Sequence, residues 1–210
     1  MFGSTPHNHQ FITNSFMKIY FLLIIGFAAA AIAMPAASHQ PVLAIDEPHT
    51  QEQPFEIEDP EISKAIYSKL SGSPHFYRVV SDKPFNFYIG LTKPKLEDCP
   101  LGKTFSFDLL DEKFVPIVEM DGSTFEWWPW FEQFGRKWYW VGPEMGKDFR
   151  HTEEFDAGTY YIRVRNQSNR GNYVLAVGDI ESFPVGVMAR MLRDLPKINR
   201  IFWKNANCDS

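Results

Sequence analysis

Hydrophobic and polar residues alternate with a period of two along most of residues 61–180. The alternation is clearest in AGTYYIRVRNQSNRGNYVLAVG, residues 157–178, where a polar, turn-forming segment at 166–171 separates two alternating runs. Side chains with this period point to opposite faces of a β-strand. The stretch therefore predicts a β-hairpin. The apolar alternating positions are Tyr160, Ile162, Val164, Tyr173, Leu175 and Val177.

Shorter stretches upstream show the same alternation, and clusters of Gly, Pro, Ser and Asp separate them. No helical pattern lies between these stretches, which argues against a parallel α/β sheet. The chain is therefore predicted to be mainly β, with a single antiparallel β-sandwich over residues 61–180. The predicted strands upstream of the hairpin lie within 63–70, 75–80, 85–91, 105–109 and 114–120.

The predicted hairpin also carries a short pattern that resembles a known family. The residues that carry this pattern are Gly158, Thr159, Tyr160, Val164, Gly171, Tyr173 and Leu175. They are similar to the closing hairpin of bacterial pre-peptidase C-terminal domains. The resemblance implies a small secreted, jelly-roll-like β-sandwich. From Ile62 onward the chain also resembles exported bacterial and archaeal proteins of unknown function, a likeness that implies a fold and brings no catalytic residues.

Residues 181–210, after the predicted sandwich, show helical spacing instead of alternation. Ser182 is the predicted N-cap of this segment, and Pro196 is predicted to end its first helix. Apolar residues repeat along one side and basic residues along the other, which predicts a short amphipathic helix. Two interpretations remain open: the helix lies on a membrane surface or a partner, or it folds back over the sandwich.

Residues 1–38 have the composition of an N-terminal extension followed by a secretory signal helix. Lys18 precedes an apolar run of about fifteen residues, and Ala33 ends an A-x-A cleavage pattern. The alternative is an uncleaved anchor, although about 20 apolar residues usually span a bilayer. The protein is therefore predicted to be exported, to a periplasmic or extracellular location. Residues 39–60, rich in Pro, Glu and Gln, are predicted to be a disordered linker.

The formal net charge of −5 argues against a nucleic-acid partner. The two cysteines, Cys99 and Cys208, belong to no metal-binding pattern. In an exported protein they either form a disulfide that pins the C-terminal segment to the sandwich or remain free thiols. We predict no cofactor and no metal site.

The segment 125–140, FEWWPWFEQFGRKWYW, is the most unusual stretch of the chain. One interpretation is an exposed platform for a glycan or peptide ligand, because aromatic faces stack on such groups. The other is a small core that covers one end of the sandwich. The candidate ligand-binding residues are Trp127, Trp128, Trp130, Trp138, Trp140, Glu126 and Glu132.

The sequence contains none of the common catalytic motifs for nucleophilic, metal-dependent or phosphate chemistry. His75 and His151 have no neighbouring nucleophile signature. We therefore predict a non-catalytic binding or accessory protein of the cell envelope. One alternative is a hydrolase of envelope polysaccharide or peptide, using Glu126, Glu132 and Glu144 as facing carboxylates. Another alternative is a purely structural envelope protein.

Overall fold

The computed structural model describes residues 39–147, 149–150 and 153–208. Residues 37–210 form one compact unit with its own hydrophobic core. The predicted signal helix, its cleavage site at Ala33, and His151 lie outside the described residues.

The described residues form thirteen strands that pair into three sheets. In chain order the strands are β1 (Gln40–Leu43), β2 (Phe55–Ile57), β3 (Lys64–Ser71), β4 (His75–Ser81), β5 (Phe85–Asn86), β6 (Ile89–Pro94), β7 (Ser106–Leu110), β8 (Pro116–Met120), β9 (Trp128–Glu132), β10 (Lys137–Met145), β11 (Glu154–Phe155), β12 (Gly158–Arg165) and β13 (Arg170–Val177). A six-stranded sheet has the order β1-β3-β13-β6-β10-β9, and a five-stranded sheet has the order β2-β4-β12-β7-β8. β5 and β11 form a small third sheet.

The two large sheets share one hydrophobic core, which confirms the predicted β-sandwich. Ile66 and Leu175 of the six-stranded sheet lie in this core with Val79, Phe107 and Ile162 of the five-stranded sheet, and all five are fully buried. Alternating apolar residues give each strand one inward face, so burying two such faces against each other produces a sandwich. The protein is mainly β, with a helical segment after the last strand.

The stretch 157–178 forms two strands, but they do not pair with each other. β12 pairs with β4 and β7, whereas β13 pairs with β3 and β6 in the opposite sheet. The turn between them is held by backbone N–H groups of Ser168 and Arg170, which donate to Asn166 Oδ1. The predicted β-hairpin is therefore wrong, because alternation identifies the inward face of a strand and not its neighbour.

Residues 39–60 are not a disordered linker, contrary to the prediction. β1 pairs in parallel with β3, and β2 pairs in parallel with β4, at the edge of each large sheet. Ala44 and Ile57 are buried in the shared core. Strands of four and three residues are too short to show a period, so composition alone was misleading. The sandwich begins at Gln40 and is mixed instead of purely antiparallel.

The helix α1 (Val185–Asn199) follows the sheets and continues into a π-helical turn at Arg200–Lys204. Pro184 occupies the N-cap position instead of Ser182, and Pro196 lies inside the helix instead of ending it. Ile198 and Phe202, which follow this proline, are buried, and their packing holds the helix beyond it. No helix in the described part of the chain is long and apolar enough to cross a membrane.

A disulfide joins Cys99, in the loop after β6, to Cys208, beyond the π-helical turn, with Cα atoms 5.3 Å apart. Of the two alternatives left by the sequence, the structure has the paired cysteines. The bond ties the C-terminal segment to the sandwich at a second point, in addition to its connection with β13.

Each edge strand of the two large sheets carries or follows a proline. Pro41 lies in β1, Pro129 in β9 and Pro116 in β8, and Pro54 directly precedes β2. Proline lacks a backbone N–H, so a sheet tolerates it mainly at edges, strand ends and bulges. In the central strands, Pro94 is the last residue of β6 and Pro143 lies at the register shift between Val141 and Glu144 of β10.

Candidate functional site

The aromatic insert forms the β9–β10 hairpin at one edge of the six-stranded sheet. Its register pairs Trp130 with Tyr139 and Phe131 with Trp138. Successive residues point to opposite faces, and directly paired residues point to the same face. Trp130 and Tyr139 therefore share one face of the hairpin, while Phe131 and Trp138 share the other. The predicted aromatic platform is divided between two surfaces.

The face that carries Trp130 borders a groove between the six-stranded sheet and α1. The groove has a volume of about 600 Å³, which lies in the range of roughly 300–1,000 Å³ typical of ligand sites. Its floor contains small side chains, Ala65 of β3, Thr92 of β6 and Ala176 of β13. Its walls contain larger side chains, such as Leu195 of α1. The space exists because small floor residues leave a gap beneath large wall residues.

One end of the groove lies at the π-helical turn and is polar. The hydroxyls of Tyr67 and Tyr139 share a hydrogen bond of 2.7 Å. Burial raises the pKa of Tyr67 to about 12 and also raises the pKa of Tyr139 well above its ordinary value. Both hydroxyls therefore stay neutral at pH 7. The Trp203 ring lies 5.2 Å from the Tyr139 ring, and Lys137 Nζ lies 5.5 Å from the centre of the Trp203 ring.

Two polar atoms of residues that line this end have no hydrogen-bond partner within the described part of the chain. They are Asn199 Oδ1 and Trp203 Nε1, four residues apart in the sequence. A buried polar group without a partner costs free energy. Both atoms are buried behind the surface of the groove, so they make this end polar without being open to a ligand.

His39 and Phe149 form the other end of the groove. Their ring centres are 6.5 Å apart, and the Phe149 ring lies 5.1 Å from Trp130. Burial lowers the pKa of His39 to about 4, so its imidazole is neutral at pH 7. His39 Nδ1 also shares a hydrogen bond with the hydroxyl of Ser63. The rings at this end of the groove are therefore uncharged.

The structure separates the five candidate tryptophans. Trp127 is 7% exposed, its Nε1–H donates to the carbonyl of Gly122 at 2.8 Å, and it belongs to the core. It is therefore not available to a ligand. Trp130 lines the groove, and Trp128 lies beside it, exposed, on the same face of β9.

Trp138 and Trp140 lie on the face of the hairpin that points away from the groove. Trp138 is 48% exposed, and its ring lies 5.2 Å from Phe131. Trp140 packs against the margin of the core, and Lys95 Nζ lies 5.4 Å from its ring. These two tryptophans could contact a partner only through a different surface from Trp130.

Neither of the two predicted acidic ligand-binding residues offers a free carboxylate to the groove. Glu132 lines the groove, but its carboxylate accepts hydrogen bonds from the backbone N–H groups of Phe134 and Gly135 in the hairpin turn. Glu126 is exposed in the loop before β9. Glu132 therefore stabilises the turn. Glu126 is not among the residues that line the groove.

Glu132 and Glu144 do not face each other. Glu132 pairs with Lys137, which lies seven residues before Glu144 on β10. At about 3.3 Å per residue the main chains at the two residues are separated by roughly 20 Å. A pair of carboxyl groups that cleaves a glycosidic bond lies roughly 5–10 Å apart. These two residues therefore cannot form such a pair.

A buried network in the sandwich was not foreseen from the sequence. The His49 and His75 rings stack at 4.3 Å, and Ser68 Oγ lies 3.3 Å from His49 Nε2 and 3.2 Å from His75 Nδ1. The Tyr173 hydroxyl lies 2.9 Å from His75 Nδ1. Ser68 is fully buried, so a substrate cannot reach its hydroxyl. The network is structural, and it was missed because His49 comes from the supposed linker.

The groove was also missed, although the sequence contains a signal for it. Ala65, Thr92 and Ala176 are small residues at outward positions of three adjacent strands, and an amphipathic helix follows the sheet. A row of small outward residues beneath a helix indicates a gap. No group of three or more His, Cys, Asp or Glu residues in the described ranges could hold a metal ion.

These elements define a β-sandwich with a helix-covered groove. No family model matches the chain, and no curated protein matches it. Among solved structures, the chain is similar to the pre-peptidase C-terminal domain of collagenase from Bacillus anthracis, with 11% identity and a TM-score of 0.32. The alignment covers 69% of this chain and 98% of that chain. This TM-score is too low to assign any property of that domain to this chain. The sandwich is established by the strand pairing and the shared core, and a jelly-roll type stays a prediction.

Proposed function

We propose that this protein is a non-catalytic binding module that holds an elongated, mostly apolar ligand in the groove beneath α1. The observation that carries the proposal is a cavity of about 600 Å³ between the helix and the sheet. If one water-sized group occupies about 30 Å³, the groove has room for a ligand of about twenty non-hydrogen atoms. An acyl chain with a small head group has this size.

The distribution of polar groups supports a chain with one polar end. Ala65, Val174 and Leu195 are apolar lining residues, whereas the Lys137 ammonium lies beside Trp203 at the π-helical turn. Apolar burial supplies most of the affinity in such sites, and a few polar groups fix the orientation. A ligand would therefore place its polar end near Lys137.

The same proposal includes an exported location. The disulfide between Cys99 and Cys208 supports it, because disulfides persist in oxidising compartments. The ~20 Å separation of Glu132 and Glu144, estimated from the rise of a β-strand, supports binding over hydrolysis.

A titration with cis-parinaric acid, a fluorescent acyl chain of the size estimated above, tests the proposal. The probe should bind with a saturable increase in emission, and Ala65→Phe should abolish the signal by filling the floor. Ala189→Phe, the same change at an exposed position of α1 outside the groove lining, should leave binding unchanged. Equal binding by wild type and Ala65→Phe, with both folded by circular dichroism, would refute the proposal.

A glycan or peptide remains the second candidate ligand, and the exposed pair Phe131 and Trp138 favours it. Two neighbouring exposed rings offer a stacking surface. Trp128 lies on the opposite face of the hairpin, so one sugar ring cannot stack on both tryptophans. Loss of binding in a glycan array on Trp138→Ala, and not on Trp128→Ala, would support this candidate. No binding by the wild type would eliminate it.

A further inference from the structure

Helix α1 has three different sides. Val187, Met191 and Ile198 are buried and form its inward side. Val185, Met188 and Leu192 form a second, apolar side that is exposed. At 100° per residue, the inward, apolar and basic sides are roughly 120° apart around the axis. The basic side consists of Arg190, Arg193 and Lys197, and Arg200 and Lys204 of the π-helical turn extend it; all five are exposed.

The apolar side borders the mouth of the groove. Leu192 lines the groove and is nevertheless 79% exposed. Val185, about two turns earlier on the same side of the helix, is 83% exposed. Phe134, at the tip of the β9–β10 hairpin, also lines the groove and is 47% exposed. The mouth is therefore rimmed by apolar side chains on both the helix and the hairpin.

The charge of this region is opposite to that of the whole chain. Residues 185–204 contain five basic residues and Asp194 as the one acidic residue, whereas the chain has a formal net charge of −5. A positive helix on a negative protein is attracted to an anionic surface and orients the molecule on it. Long basic side chains can reach the head groups while neighbouring apolar residues enter the interface.

We propose that α1 docks the mouth of the groove onto an anionic membrane surface, with Val185 and Leu192 inserted below the lipid head groups. The proposal of a docking surface is supported by the exposed apolar residues and the positive charge of α1. The route of the ligand, from the bilayer directly into the groove, rests on the proposed function. A membrane fits this surface better than a folded partner because the exposed apolar residues form a narrow strip along one side of the helix, beside a row of long basic side chains.

Co-sedimentation of residues 37–210 with vesicles of equal parts phosphatidylcholine and phosphatidylglycerol tests the docking. This stretch forms a compact unit with its own core, and it omits the apolar N-terminal segment, which would bind vesicles by itself. The double variant Val185→Ser/Leu192→Ser should reduce partitioning at least about tenfold, since two exposed side chains lose their apolar burial. Retained binding would overturn the proposal.

The matched control is Val115→Ser/Ile117→Ser, which removes two exposed apolar residues near β8 in the other sheet. This control should bind like the wild type, and an equal loss would mean that binding is not specific to α1. Arg190→Gln/Lys197→Gln should reduce binding to the anionic vesicles and bring it close to that on pure phosphatidylcholine. If it does not, the charge argument is wrong.

The probe titration without vesicles separates the two proposals. Val185→Ser/Met188→Ser changes two exposed residues of the apolar side that do not line the groove, so it should weaken vesicle binding and bind cis-parinaric acid like the wild type. Vesicle binding without probe binding would support docking and reject the groove ligand. Probe binding without vesicle binding would support the groove ligand and reject docking.

Discussion

The stacked imidazoles of His49 and His75 lie inside the sandwich, where a positive charge would be poorly solvated. Burial, together with the neighbouring His49, lowers the pKa of His75 to about 3, and burial also lowers the pKa of His49. The hydroxyls of Ser68 and Tyr173 lie within hydrogen-bonding distance of His75 Nδ1, so the neutral ring has polar partners. At this scale the protein depends on keeping two histidines uncharged.

The pKa of His75 predicts loss of stability in acid. Between about pH 6.5 and pH 3 the unfolded chain binds a proton at this residue and the folded protein does not, so the free energy of unfolding falls as the pH falls, by up to about 1.4 kcal/mol per pH unit. His39, with a pKa of about 4, acts in the same direction. Urea denaturation at about pH 7 and about pH 4.5 measures the difference.

The variant His75→Asn should show a smaller pH dependence than wild type, even if it is less stable at neutral pH. Asn retains a polar atom near the position of Nδ1 and cannot be protonated. An unchanged slope in this variant would show that another group causes the acid sensitivity.

Gly142 makes a second prediction at the scale of single residues. A Cβ at this position would lie 2.3 Å from the buried Trp127 ring, so Gly142→Ala should destabilise the protein by about 2 kcal/mol or more through overpacking. Gly186, in the first turn of α1, has no atom within 4 Å of an added Cβ. Gly186→Ala should therefore be neutral or stabilising by up to about 1 kcal/mol. Thermal denaturation of both variants checks this, and equal effects would contradict it.

At the scale of elements, the helical segment formed by α1 and its π-helical turn is held to the sandwich by side-chain packing and by the disulfide. Tyr67 and Tyr139 pack with Phe202 and Trp203, and the disulfide to Cys99 begins just beyond this contact. Apolar packing and the covalent bond therefore hold the same end of the helical segment. The other end joins β13 through the main chain.

Removal of the disulfide should loosen this element and lower the stability of the whole fold. The bond joins residues 109 positions apart, and cross-links of this length contribute up to about 4–5 kcal/mol by restricting the unfolded chain. Cys99→Ser/Cys208→Ser should shift the urea midpoint down and increase hydrogen exchange in α1. Dithiothreitol should have the same effect on wild type and none on the variant. A midpoint equal to that of the oxidised wild type would contradict the prediction.

For the molecule as a whole, the burial of the six tryptophans predicts its fluorescence quenching. Trp128 and Trp138 are exposed, whereas Trp127 is buried. Trp128→Phe and Trp138→Phe should each reduce the fraction of emission that acrylamide quenches. Trp127→Phe should increase that fraction, because it removes a protected emitter. The reverse pattern would mean that the insert folds differently in solution.

The sequence predicted the inward face of most strands, and hence the sandwich, because period-two alternation directly reflects burial. It could not predict the neighbours of each strand, since residues 157–178 alternate equally well as a hairpin or as a connection between sheets. The small outward residues of three strands hint at a gap beneath the helix, but they do not identify the residues that line the groove. Trp130, Ala65 and Leu195 meet there from three separate elements, and only the packing of those elements brings them together.

The prolines at the sheet edges restrict how another chain can associate with this protein. An extended peptide that joined β9 or β1 as a new strand would need a continuous row of free donors, and Pro129 or Pro41 interrupts that row. The same interruption protects a molecule with many exposed aromatic rings from edge-to-edge polymerisation. A partner at these two edges must therefore recognise side chains instead of extending the sheet.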